Sequence, residues 1–197
     1  MSTGALARVV RGAGARRAAR AAEHCDMCRA PVAATHRHML DTARGEMLCV
    51  CVPCTLLFEQ QAASNGHFRL VPRRRVRLAP LSTESLGVPV GLAFFVPDAD
   101  GGVEAHFPGP AGPAQAEVDA AAWRRLGEDH PELAALEPGV QALLVNTVRG
   151  QQHHWIVPLD DCFRLVALVR QEWRGLSGGG RVWPEVERFF TELTEDD

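Results

Sequence analysis

The chain has 197 residues, 46% of them hydrophobic, and a net charge of −3, which is enough for one or two domains with a real core. All 21 basic residues are arginine, so a lysine-bearing Walker A phosphate loop and a Schiff-base pyridoxal-phosphate enzyme are both excluded. No apolar run reaches the roughly eighteen residues of a transmembrane helix, so no membrane span is expected.

Charge is unevenly spread. Residues 1–79 hold 13 arginines against 5 acidic residues, and residues 80–197 hold 8 against 19. This asymmetry predicts two units with a boundary near Ala79-Pro80. Residues 1–22 are Ala/Gly/Arg-rich, with little to bury, and read as a basic disordered tail. They carry no apolar block ahead of a cleavage site, so a cytoplasmic location is expected. In a reducing cytosol, paired cysteines point to metal or redox chemistry rather than to structural disulfides.

Residues 23–79 read as a metal-binding, ribbon-like module. Cys25-Asp26-Met27-Cys28 is a first knuckle, with Pro31 stopping any helix. His36 to Leu40 is a predicted strand, Asp41 to Gly45 a turn and Glu46 to Val50 the return strand. Cys51-Val52-Pro53-Cys54 is a second knuckle, followed by a short helix over Thr55–Gln61. A hairpin brings its two ends together, so Cys25, Cys28, Cys51 and Cys54 are the candidate ligands of one tetrathiolate site. Such a site has no open position and is structural. Zinc is the expected ion. The alternative is iron, as a mononuclear thiolate centre or an iron–sulfur cluster. Rubredoxin knuckles usually carry glycine after the second cysteine, where this chain has Arg29 and Thr55, and that departure favours zinc. A thioredoxin-like dithiol at Cys51 and Cys54 fits the local order of strand, C-x-x-C and helix, but leaves the first pair unexplained.

Cys49 is surplus to the four. Pairing Asp41 with Glu46 puts His38 opposite Cys49 and His36 opposite Cys51, on one face. These three are candidates for an extra ligand or for groups tuning the site from outside. A one-residue slip would separate them. His67 to Val71 is a further strand, and Asn65-Gly66 a turn. Arg73, Arg74, Arg75 and Arg77 form the densest basic run, read as a solvated strand or linker, or else as an anion or partner contact.

Residues 80–197 read as an acidic α+β domain with antiparallel strands and three to four helices. Val90–Val96 and Val103–Phe107 are predicted to make a hairpin about Asp98–Gly102. Helices are expected over Ala116–Leu126 and near Pro131–Leu136, and strands over Val140–Val148 and His153–Val157. Of the neighbours His153 and His154, one is expected to pack and one to be solvated. Asp160-Asp161 is read as the cap of a helix running to Trp173, with Phe163, Val166, Val169 and Trp173 along its buried side. A last helix from Pro184 buries Val186, Phe189, Phe190 and Leu193. Gly175-Leu176-Ser177-Gly178-Gly179 matches a nucleophile-elbow pattern, but lacks the preceding strand and a following histidine. Cys162 reads as core. No general acid, base and nucleophile can be assembled, so a non-enzymatic protein is expected.

The Cys25–Cys28 knuckle, His36–Asp41, Leu48–Phe58 and the stretch from Cys162 to Trp183 together resemble a family of actinobacterial-type proteins often encoded beside nickel–iron uptake hydrogenases. That resemblance implies an accessory role in hydrogenase maturation, electron transfer or assembly, with a hydrogenase or a maturation factor as protein partner. A rubredoxin-like electron-transfer or iron-handling protein is the alternative. A nucleic-acid-binding zinc ribbon using the arginines at 73–77 is a third reading, disfavoured by sparse aromatic residues and an acidic second half.

Overall fold

The computed structural model describes residues 23–59, 66–83, 86, 91–175 and 178–195. The expected N-terminal tail, the end of the helix expected over Thr55–Gln61, and Ser177 of the elbow-like pattern lie outside them. The chain divides into two units, Met1–Leu70 and Val71–Asp197.

The first unit is a three-stranded antiparallel sheet with a short helix. Strands β1 (Arg37–Asp41), β2 (Glu46–Val50) and β3 (Phe68–Leu70) lie in the order β2-β1-β3. Asp41 closes the turn between β1 and β2. Its Oδ1 accepts from the amides of Ala43 and Arg44, and its carbonyl accepts from Gly45. Gly45 sits at φ +67, where a side chain would be strained. This turn sets the register: Asp41 faces Glu46, and His38 faces Cys49. Helix α1 runs over Val52–Phe58, three residues earlier than the sequence suggests. Pro53 starts it, because proline's missing N–H is no loss in a first turn. The core of the unit is small: Cys25, Met39, Val50 and Cys54, flanked by Met27, Leu48, Phe58, Phe68 and Leu70.

The second unit is built on a six-stranded antiparallel sheet in the order β4-β9-β8-β5-β6-β7. Its strands are β4 (Val76–Arg77), β5 (Leu92–Pro97), β6 (Val103–Phe107), β7 (Ala114–Glu117), β8 (Gln141–Asn146) and β9 (His153–Pro158). The β5–β6 hairpin is as expected, and the Asp98 carboxylate ties its turn by accepting from Asp100 and Gly102. Strand β8 is buried at every position, as its unbroken apolar run requires of a strand covered on both faces. Ala93, Phe95, Ala105, Leu143, Val145 and Ile156 lie in one core with residues of helices α2 (Ala120–Asp129) and α3 (Pro131–Ala134). The alternate residues, among them Phe94, Leu144, Trp155 and Val157, are equally buried. Helix α4 (Leu159–Glu172) contacts β8 and β9, helix α5 (Val182–Glu195) contacts α4, and His153 stacks on Phe190 of α5.

Several expectations are corrected here. Residues 114–117 are an edge strand paired with β6, so the helix expected from Ala116 begins only after Asp119, which caps it through Ala121. Val166 and Val169 are buried as expected, but Phe163 is 46% exposed, and Leu159, Cys162 and Leu165 complete the buried side of α4. The N-cap position of α4 is held by Pro158, so Asp160 and Asp161 fall in its first turn instead, and Asp161 turns inward to an arginine. His153 and His154 face opposite ways: His154 is buried, while His153 is only partly exposed because its ring stacks on Phe190.

Candidate metal centre

The two knuckles are shaped by backbone bonds. In the first, the Cys25 amide donates to Ala30 and the Arg29 amide donates back to Cys25. Arg29 takes a left-handed φ of 64, a conformation that favours glycine. The knuckle turn therefore forms without the glycine of rubredoxin-type sequences, and that sequence argument against iron loses weight. In the second, Cys51 precedes α1 and accepts from both the amide and the hydroxyl of Thr55, which places Cys54 in the first helical turn. Asp26 joins the first knuckle to β2: its amide donates to the Cys49 carbonyl at 2.9 Å, and its Oδ2 accepts from the Cys49 amide at 2.8 Å. The sequence reading did not single out Asp26; its signal was a carboxylate directly after a knuckle cysteine.

The structure brings Cys25, Cys28, Cys51 and Cys54 together, with their sulfurs all within 4.8 Å of one another. The Cys28 and Cys51 sulfurs are 3.6 Å apart. No disulfide forms among them. Four thiolates at a zinc–sulfur distance of about 2.3 Å on a tetrahedron stand about 3.8 Å apart, so the cluster matches a cation-centred arrangement and not a sulfur–sulfur bond. Cys25 and Cys54 are buried, while Cys28 faces solvent.

Protons are unevenly held. Burial raises the Cys25 thiol, but the backbone amides of Cys51, Cys28 and Met27, with the Cys28 thiol, outweigh it and bring the pKa down to about 6. Burial pushes Cys54 strongly up, and the neighbouring sulfurs of Cys51, Cys28 and Cys25 push it further. One site therefore readily yields a thiolate while its neighbour resists. A cation shared by four sulfurs supplies the charge that lets all of them ionise. Cys162 is fully buried in the second unit, its thiol held protonated by burial and by Asp161 and Asp160.

His36, His38 and Cys49 form a second group, with ligand atoms within 4.8 Å of one another. Arg75 donates to both oxygens of the Asp161 carboxylate, at 2.7 and 3.0 Å, and Arg77 lies over the Trp155 ring. Arg73 and Arg74 are exposed. Among the described residues no helix is long and apolar enough to cross a membrane.

Neither the curated proteins nor the solved structures contain a match to this chain. A family model does match, over residues 24–197, taking in both knuckles, the two histidines, Cys49 and the whole second unit, and the chain belongs to that family, a family of unknown function (DUF5947).

Proposed function

We propose that this protein is a non-enzymatic accessory protein whose first unit is organised by a structural zinc ion on Cys25, Cys28, Cys51 and Cys54, and which acts by engaging a protein partner. The observation that carries this reading is the convergence of four sulfurs from two knuckles at tetrathiolate spacing. All four donors come from the chain, which leaves no coordination position for substrate. The ion would fix the knuckles and α1, whose Val52, Leu56 and Leu57 are 67%, 63% and 56% exposed. An apolar helix face beside a rigid knuckle is a contact surface in search of a protein. The resemblance to proteins encoded beside nickel–iron hydrogenases makes a hydrogenase subunit or maturation factor the first partner to test.

Metal analysis of the purified, reduced protein with its visible spectrum tests the ion. Colourless, zinc-containing protein is expected, and replacing Cys28 or Cys54 with serine should remove the zinc of the four-cysteine cluster. A coloured protein holding iron would instead support electron transfer, a reading that Arg29's left-handed turn keeps in play. Co-purification with a hydrogenase component, lost when α1's exposed leucines are changed, tests the partner.

A further inference from the structure

We propose that His36, His38 and Cys49 form a second metal site, distinct from the four-cysteine cluster, that takes a divalent zinc-class cation and keeps a coordination position open. Strand register builds it. His38 faces Cys49 across the β1–β2 ladder, and His36, just ahead of β1, brings its ring beside that of His38. The two imidazole centroids are 4.6 Å apart, and the three ligand atoms lie within 4.8 Å of one another.

His36 is prepared as a ligand. Its Nδ1–H donates to the Ala33 carbonyl at 2.9 Å, so Nε2 keeps the lone pair. That Nε2 is buried with no hydrogen-bond partner, on a side chain only 7% exposed. A buried acceptor without a donor is costly. A cation at Nε2 supplies what the protein does not. The Glu23 carboxylate stands 3.5 Å behind Nδ1, the outer position from which carboxylates and carbonyls orient metal-bound histidines. On the other side, Asp26 grips the Cys49 backbone through both its amide and its carboxylate, which holds the sulfur's strand in place.

Two imidazoles and one thiolate are a borderline donor set suited to zinc. Binding releases the Cys49 thiol proton to solvent and leaves three protein ligands. The fourth position is free for water or an exchangeable ligand, unlike the closed tetrathiolate. The proposal goes beyond the structural zinc and uses none of its ligands.

The experiment is a zinc titration of the full-length, reduced, chelator-stripped protein, read by bound-metal stoichiometry and by nitrogen-15 spectra of the imidazoles. Wild type should bind two equivalents, with His36 and His38 ring nitrogens shifting on the equivalent that Cys49→Ser loses. C49S and His38→Gln should each bind one. If wild type stops at a single ion that C54S removes and C49S does not, the second site does not exist. If a single ion is lost in C49S and retained in C54S, the second site stands and the structural zinc falls. Should the variants fail to fold, unshifted imidazoles in zinc-saturated wild type overturn the proposal alone.

Discussion

Removing the ion from the four-cysteine cluster should unfold the first unit and leave the second intact. Among the described residues of that unit, the buried core apart from the candidate ligands Cys25 and Cys54 is Met39 and Val50. Burying those two side chains contributes about 2 kcal/mol each. A structural zinc on a small module contributes on the order of 10 kcal/mol, so most of the unit's stability would pass through sulfur. The second unit has a separate core in which Phe94, Phe95, Trp155, Phe190 and Leu193 are essentially inaccessible. All four tryptophans, at 123, 155, 173 and 183, belong to it. Tryptophan fluorescence thus reports on one unit only. After chelation, or in Cys54→Ser, the urea midpoint by fluorescence should be unchanged. Amide resonances of β1 and β2 should collapse to unfolded positions, and proteases should cut within residues 23–70. Dispersed β1 and β2 resonances in metal-free protein would refute the reasoning.

Replacing Arg75 with alanine strands Asp161, whose side chain is 6% exposed, with only a longer contact to Arg164 at 3.8 Å. A loss of about 3 kcal/mol in fluorescence-monitored urea unfolding is expected, and a loss under about 1 kcal/mol would show the pair to be dispensable. Burial lowers the pKa values of His154, His153 and His106 from 6.5, with neighbouring charges such as His153 on His154 adding to it in part. The unfolded chain then binds protons first. The second unit should be most stable above about pH 6.5 and lose stability as pH falls through the depressed folded values. His154, 1% exposed with neither ring nitrogen in hydrogen-bonding geometry, is the strongest case. His154→Leu should flatten that pH dependence in thermal melts at pH 5 and pH 7.5, and an unchanged slope would remove it as the source. Leu56→Ser with Leu57→Ser should alter stability by less than about 0.5 kcal/mol, while abolishing partner capture; retained capture would move the contact surface elsewhere.

The four-cysteine centre was legible because knuckle spacing and a hairpin-length gap leave few other ways to arrange the sulfurs, and the Asp41–Glu46 pairing followed from turn chemistry within six residues. The helix and strand periods likewise placed the β5–β6 hairpin and the buried side of α5. Local pattern misled where two readings were equally good. Ala114–Glu117 is alanine-rich, and only pairing with β6 makes it a strand. Phe163 looks like core, yet the side of α4 that meets β8 and β9 is set by the sheet. Arg75 reads as one of a solvated run until the fold carries Asp161, 86 positions away, to its guanidinium. What the amino-acid order determined is contact between groups near in the chain, where spacing alone dictates geometry. What the tertiary structure decided is which charge meets which across long separations and which side of a helix is covered, because only packing selects among partners that sequence leaves equivalent.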